Sequence, residues 1–372
     1  MMNKRLLITS TDLMMVQFLI PHVLCLHEAG YKIEIACSNV GGRLPEVESL
    51  LEGIVDAVYE IKLKRNPLSV KNVLGLQELL RLMKNHVYDI IWTNEPVMGV
   101  ATRLAARQSR RTGTKVVYMA HGFHFFRGAP LFNWIVFFPI EYLMSFCTDY
   151  IVTINQEDYH RASGFCHSDA RYIHGIGMNS ARLVQTNSQL RDELGLTNSE
   201  IIIISVGELN KNKNQSVIIK ALARVNDSRI HYVLCGKGTE KKHLQMLAQK
   251  YNLAENVHFL GYRKDVVSLC RDADIFAMPS YREGLSVAAM EAKYLGLPLI
   301  TSNRRGLSDL NVHGETGFLC SPNDVRGFAE CINALVRDNE KRETMGKNNI
   351  ESVKPFLLEN VKKEVLQLFS SL

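Results

Sequence analysis

Short β-branched runs alternate with amphipathic stretches through the first half of the chain. Residues 5–9, 31–37, 88–93, 115–120 and 149–154 read as strands, and the segments between them repeat apolar positions at helical spacing. Strands separated by helix-length segments pair in parallel through crossovers, so the pattern predicts βαβ units on a parallel sheet. The rhythm breaks at a polar stretch, 179–199, and restarts with runs at 200–206, 229–235, 256–260, 273–278 and 297–301. The α/β reading is therefore two doubly wound domains in tandem, 1–180 and 181–354. The final amphipathic stretch, 355–372, is able to pack back on the N-terminal domain.

Length and composition support that reading. At 372 residues the chain is more than twice a typical domain of about 150. With 46% hydrophobic and 22% charged residues it is neither disordered nor fibrous. Lys and Arg outnumber Asp and Glu by 44 to 38, a net charge of +6, which is mild beside the footprint of a nucleic-acid domain. The eight cysteines form no CxxC pair and mostly sit in apolar runs, so buried reduced thiols are expected. Only Leu6, Leu7 and Ile8 follow the basic start before polar residues resume, too short for a signal-peptide core. No apolar run approaches the roughly 20 residues of a spanning helix, and a cytoplasmic protein is expected.

Ligands of such sheets bind beyond the carboxyl ends of the strands. The first strand is followed by Ser10-Thr11-Asp12-Leu13-Met14, without GxGxxG, which argues against a Rossmann dehydrogenase. In the second half, Gly207-Glu208-Leu209-Asn210-Lys211-Asn212-Lys213 lies between a strand and a helix, where loop amides and a lysine can meet phosphate. Read alone, the same loop fits a solvated surface better than a phosphate site. Pro279 to Ala292 is more informative, because a strand ends there, an apolar helix begins, and Glu283 and Glu291 stand eight apart. Were most of that interval helical, the carboxylates would lie roughly 12 Å apart. That exceeds the roughly 5 to 9.5 Å of a glycoside-hydrolase pair. The spacing suits a ligand with hydroxyls at both ends and phosphates between, as in a sugar nucleotide, or else a helix start merely favoured by Glu283.

At these residues the chain resembles the retaining family-4 glycosyltransferases of the GT-B fold, in which two Rossmann-like domains face a central cleft. Glu283 and Glu291 match the family's Glu-x7-Glu element, and Gly207 to Lys213 matches its Gly-Arg-Leu and lysine in part. Leu260-Gly261-Tyr262-Arg263 matches the stretch lining the base, and Gly314-Glu315-Thr316-Gly317-Phe318 the turn after the second-domain site. In the first half, Phe18-Leu19-Ile20-Pro21 and Ala120-His121-Gly122-Phe123-His124 resemble the branch that builds bacterial capsular and exopolysaccharide repeat units.

The resemblance implies roles for individual positions. Glu283 holds the donor sugar's hydroxyls, with the amides of Gly284 and Leu285 beside it, and Glu291 the ribose. Lys213 stabilises the diphosphate with the Ser286 and Val287 amides, Gly207, Gly261 and Arg263 line the donor, and His121 lies near the anomeric carbon. A hexose moves from a nucleotide sugar, expected to be a UDP-sugar, onto a polyprenyl-diphosphate-linked saccharide, with retention and without a metal or other cofactor. Two departures stand out: Glu208 occupies the position of the family's arginine, leaving Arg263, Arg304 and Arg305 as the candidates to substitute for it, and the glycine-rich loop after the first strand is missing.

His121 and His124, and His160, His167 and His174, lack the cysteines or carboxylates that complete a metal site. Seven of the 15 phenylalanines fall between Phe123 and Phe146, either as a core helix or as a segment touching the bilayer or a lipid-linked acceptor. Arg103, Arg107, Arg110 and Arg111 fall at helical spacing on one face, which reads as solvated or as facing an anionic membrane surface. A peripheral association with the inner membrane face is expected. The alternatives are a nucleotide-sugar-binding or assembly protein that no longer transfers, with Glu208 as a symptom, and a nucleotide-sugar epimerase, for which the motifs supply no acid and base about the sugar.

Overall fold

The structure, a computed structural model, describes residues 4–11, 13–39, 44–183 and 189–372. Asp12 and much of the expected linker fall outside them. The chain divides into two compact units, one comprising Met1–Gly177 with Leu358–Leu372 and the other Met178–Leu357.

Among the described residues, the N-terminal unit carries strands β1 (Arg5–Ser10), β2 (Lys32–Cys37), β3 (Ala57–Glu60), β4 (Ile90–Asn94), β5 (Lys115–Ala120), β6 (Tyr150–Thr153) and β7 (Asp169–Tyr172). They form one parallel sheet in the order β3-β2-β1-β4-β5-β6-β7. The second unit carries β8 (Ile201–Val206), β9 (Ile230–Cys235), β10 (Val257–Gly261), β11 (Ile275–Met278), β12 (Leu299–Ser302) and β13 (Gly317–Cys320). These form a parallel sheet ordered β10-β9-β8-β11-β12-β13. In each sheet the strand order reverses beside the first strand, at β1/β4 and at β8/β11, which opens a crevice at the carboxyl ends.

The central strands are apolar on both faces because helices cover both, as Ile201–Ile204, all buried, illustrate. Of the cysteines, Cys37, Cys147, Cys235, Cys270 and Cys320 are buried, Cys25 and Cys331 half-buried and Cys166 exposed; all eight are free thiols. The C-terminal helix Leu358–Ser370 belongs to the N-terminal unit, where it lies on the helix Leu13–Glu28. Phe369 packs edge-on against Trp92 and Tyr31, with centroids 5.1 and 6.5 Å away. The His174 backbone N–H donates to Glu364 Oε2 at 2.9 Å.

The arginine face is corrected by the fold. The helix Pro96–Ala105 stops at Ala106 and a separate turn, Arg107–Arg111, follows. Arg103 is fully buried, its guanidinium 3.9 Å over the Tyr118 ring and paired with Glu141 at 2.9 Å. Arg110 grips Asp149 through two bonds of 3.0 Å and donates to the Phe146 carbonyl at 2.7 Å. Only Arg107 and Arg111 remain exposed, so the four do not form one basic stripe.

The aromatic stretch is a helix, Leu131–Ser145, oriented opposite to a core helix: its buried residues are Glu141 and Ser145. Leu131, Phe132 and Ile135 are 74%, 67% and 65% exposed. Trp134, Phe137 and Tyr142 pack on the cluster of Phe123, Phe125 and Phe165.

Candidate active site

In the C-terminal unit, Lys213 and Glu283, on the loops after β8 and β11, meet at the switch point between these strands, whereas Gly261 and Arg263 follow the edge strand β10. The loop after β8 begins at Gly207, whose φ of 145° favours glycine, and a Cβ there would lie 3.3 Å from Lys213 Cε. Lys213 Nζ donates to Glu283 Oε1 at 2.7 Å, with both side chains largely shielded from solvent. The residues expected to meet the diphosphate and the sugar are therefore ion-paired with each other. The two loops are stitched together as well: Tyr281 N–H donates to the Asn212 carbonyl at 2.8 Å, and Asn212 Nδ2 to the Arg282 carbonyl at 2.9 Å. Asn214 Nδ2 reaches the carbonyls of Pro279 (3.2 Å) and Pro322 (2.8 Å).

Past Glu283, Gly284 and Leu285 lead into Ser286, which caps the helix Val287–Tyr294; its hydroxyl accepts from Ala289 N–H at 3.3 Å. The first amides of this helix point to the carboxyl end of β11, where an anion is favoured. Because the helix starts only at Val287, about half of the interval between Glu283 and Glu291 is loop, and the all-helical 12 Å spacing does not apply. Glu291 lies on this helix and is half-buried. Close approach of the Glu283 loop to the next one requires glycine at 306, where φ is 72° and a Cβ would come within 1.8 Å of the Gly284 carbonyl oxygen.

Of the three arginines able to stand in at Glu208, two are distinguished. Arg263 forks onto Asp265 (2.8 and 2.7 Å) and Glu193 (2.8 and 3.1 Å), so two carboxylates already neutralise it. It stands beside Gly261, with φ of 69°, and Tyr262, which form the exposed turn after β10. Arg305 is buried and its Nε donates to the Glu283 carbonyl at 3.2 Å, which places it on the loop that carries the site. Glu208 is exposed and accepts from Asn210 Nδ2 at 2.9 Å.

The N-terminal unit has a matching arrangement at its own switch point, β1/β4. His121, after β5, donates from Nε2 to Asn94 Oδ1 at 3.0 Å. Burial pushes its pKa down to about 4, so the ring is neutral at physiological pH, with Nδ1 as an acceptor. Next to Asn94, Glu95 adopts φ 66° and ψ 154°, rare for a residue with a side chain. Its Oε2 accepts from Ser10 Oγ and Thr11 N–H, both at 2.8 Å. Burial raises the Glu95 pKa above the usual carboxylate range, partly offset by these bonds.

The sequence reading did not single out Asn94, Glu95, Ser10 or Thr11. The available signal was Pro96, the first residue of a helix directly after a strand, a position proline favours. Among the described residues, no three of His, Cys, Asp and Glu cluster as metal ligands.

Comparison with known proteins agrees with this geometry. Residues 22–175 match the model of glycosyltransferase family 4, and residues 186–352 that of glycosyl transferases group 1. The putative glycosyltransferase EpsD of Bacillus subtilis is 33% identical, over 100% of this chain and 97% of that protein. An Escherichia coli UDP-Gal:alpha-D-GlcNAc-diphosphoundecaprenol alpha-1,3-galactosyltransferase is 28% identical over 86% of this chain and 83% of its own. Among solved structures, Anabaena HepE in complex with UDP superposes with a TM-score of 0.80 over 99% of this chain and 100% of that one, at 20% identity. The two parallel sheets are thus the two halves of a GT-B fold. With one family half matched by each unit in chain order, and a relative matched along its whole length, this chain belongs to the family-4 glycosyltransferases and is a glycosyltransferase.

Proposed function

We propose that the protein transfers a hexose, with retention of anomeric configuration, from a UDP-sugar to a lipid-linked saccharide in the assembly of exopolysaccharide or capsule. The observation that carries this reading is the Lys213–Glu283 pair beside the N-terminus of the helix Val287–Tyr294. There a cation, a carboxylate and free helix amides meet at one switch point. Lys213 and the amides of Ser286 and Val287 take the diphosphate, Glu283 the sugar hydroxyls and Glu291 the ribose. Arg305 replaces the arginine that Glu208 displaces.

In the reaction the bond between the anomeric carbon and the phosphate oxygen breaks and the acceptor oxygen bonds to that carbon. The acceptor's proton passes to the departing phosphate oxygen, whose charge Lys213 and the amides stabilise without a metal ion. His121 serves as a neutral hydrogen-bonding group, as its lowered pKa requires. The capsular polysaccharide biosynthesis glycosyltransferase CapM of Staphylococcus aureus, 24% identical over 80% of this chain, supports the polysaccharide setting, and the diphosphoundecaprenol galactosyltransferase supports the lipid-linked acceptor.

No described helix is long and apolar enough to cross a membrane. We assign contact with the inner membrane face to the exposed side of the helix Leu131–Ser145 rather than to the arginines. The reading is tested by incubating the purified protein with UDP-hexoses and a saccharide diphosphate lipid, then determining the product's anomeric configuration by NMR. Transfer with the donor's α configuration is expected; an inverted product, or an altered free sugar nucleotide with no transfer, overturns it.

A further inference from the structure

A cavity of about 860 Å³ lies wholly within the N-terminal unit. Three elements wall it: the segment leading into the helix Lys71–Asn85, the helix Pro96–Ala105, and the inner side of the helix Leu131–Ser145. Leu68, Val73, Val100, Leu104, Phe137 and Ile140 give it hydrocarbon walls. Glu141, in its lining, accepts from Arg103 at 2.9 Å and from the Tyr118 hydroxyl at 3.2 Å. Of the other polar lining residues, Thr11 and Glu95 mark the β1/β4 switch point, Arg65, Ser69 and Asn72 belong to the segment that opens the helix Lys71–Asn85, and His124 stacks on Phe137 at 4.6 Å.

The surface around the cavity is apolar too. On one lip Leu68 and Val70 are 90% and 83% exposed, and on the other side stands the exposed face of the aromatic helix. Directly before the first lip run the exposed basic residues Lys62, Lys64 and Arg65. A slot walled mostly by hydrocarbon, with apolar lips, polar groups at the switch point and a nearby basic run, complements a hydrocarbon chain with an anionic head. The switch point is also where a sheet of this kind binds the molecule it acts on, which a bulk membrane phospholipid has no reason to reach.

We propose that this cavity seats the first isoprenoid units of the acceptor lipid, with the phosphate-bearing end toward Thr11, Glu95 and the Lys62–Lys64–Arg65 run. The proposal rests on the reading of the acceptor as lipid-linked. It adds a chain-reading site: the enzyme grips the lipid itself and not only the sugar that lipid carries.

The test uses the full-length protein without donor, with farnesyl, geranyl and methyl diphosphate titrated by calorimetry. Affinity should rise about tenfold or more from geranyl to farnesyl, since each buried methylene group contributes, and methyl diphosphate should bind weakly or not at all. Val100→Trp, which fills the slot, should weaken farnesyl diphosphate about tenfold or more while UDP affinity stays as in the wild type, showing that the chain has folded. Val73→Trp, at the exposed lip, repeats the test should Val100→Trp fail to fold.

Affinity independent of chain length, or indifferent to both substitutions, overturns the proposal. So does equal binding of lysophosphatidate, which would make the slot a site for bulk lipid. A wild-type dimer that both substitutions dissociate, without chain binding, would show that a second copy covers the surface and would overturn it as well. The functional reading fails separately: if farnesyl diphosphate binds as expected but no sugar is transferred to any diphosphate-linked saccharide, the slot is a lipid site and its occupant is not an acceptor.

Discussion

Lys213 and Glu283 make opposite predictions for UDP, because each is the other's ion-pair partner. Removing Lys213 as Lys213→Ala takes away a cation expected to bind the diphosphate. A charge-assisted hydrogen bond contributes about 1.5 to 3 kcal/mol, so UDP affinity should fall roughly 10- to 100-fold. Removing Glu283 as Glu283→Ala takes away no UDP contact, since its assigned partners are sugar hydroxyls. It does release Lys213 from a partner that UDP must displace. The pair is shielded but not fully buried, at 21% and 13% side-chain exposure, so its worth lies near the upper end of surface pairs, about 1 kcal/mol. UDP should then bind the Glu283→Ala protein as tightly as wild type, or up to about fivefold more tightly. Turnover of the UDP-sugar should nonetheless fall by two orders of magnitude or more, on the order of an oxyanion-stabilising contact. Calorimetry with UDP and a turnover assay on the two single variants and the double variant separate these effects. A loss of UDP affinity in Glu283→Ala equal to that in Lys213→Ala would refute the division of labour and leave the pair as scaffold.

Glu291→Ala should lower UDP affinity about tenfold through loss of the ribose contact, with little effect on free diphosphate; calorimetry with both ligands checks this. Transfer should retain full activity in excess chelator, and loss with rescue by Mg²⁺ or Mn²⁺ would show that charge stabilisation is not left to Lys213 and amides. His121 binds its proton less readily in the folded protein than in the unfolded chain. Its contribution to stability should therefore be complete above pH about 6.5 and decline as pH falls toward about 4. Melting temperatures across that range should fall less steeply in His121→Asn than in wild type. Ile135→Asp, on the exposed face of the aromatic helix, should weaken co-sedimentation with vesicles, whereas Arg110→Gln should act through stability, because Arg110 is held by Asp149.

Strand periodicity reported the interior of both sheets and missed three of their four margins. The ten runs read as strands each overlap a strand of the structure, the edge strand β10 among them, while β3, β7 and β13 escaped notice. Each of these is an edge strand of four residues. Ala57–Glu60 and Asp169–Tyr172 are half-exposed and carry charges, as edges do to avoid pairing with other chains, so they lack the apolar signature. At the donor half, chemistry and position were legible together, because a strand end, a helix start and two carboxylates fall within fourteen residues. The pairing of Lys213 with Glu283 was not, since it joins residues 70 apart whose loops meet only because β8 and β11 are neighbours. The same limit hid Glu95, whose significance lies in a backbone conformation and two partners on the loop after β1.

The aromatic helix shows how a polar contact can overrule composition. Its residues are mostly large and apolar, and burial of apolar area alone would turn the widest hydrophobic face inward. In the structure Trp134, Phe137 and Tyr142 share the inner side with Glu141, and Leu131, Phe132 and Ile135 stand outside. Arg103, on the neighbouring helix, is fully buried over Tyr118 and needs a carboxylate. Removing that partner leaves an uncompensated buried charge, at a cost of about 3 to 5 kcal/mol. Glu141 supplies it and also accepts from Tyr118, so the helix can dock in only one rotational setting. The outward apolar face follows from that lock. Four arginines at helical spacing look like one surface stripe, yet the one that turns inward fixes an apolar surface, and any membrane contact then depends on phenylalanine and isoleucine side chains more than on basic charge.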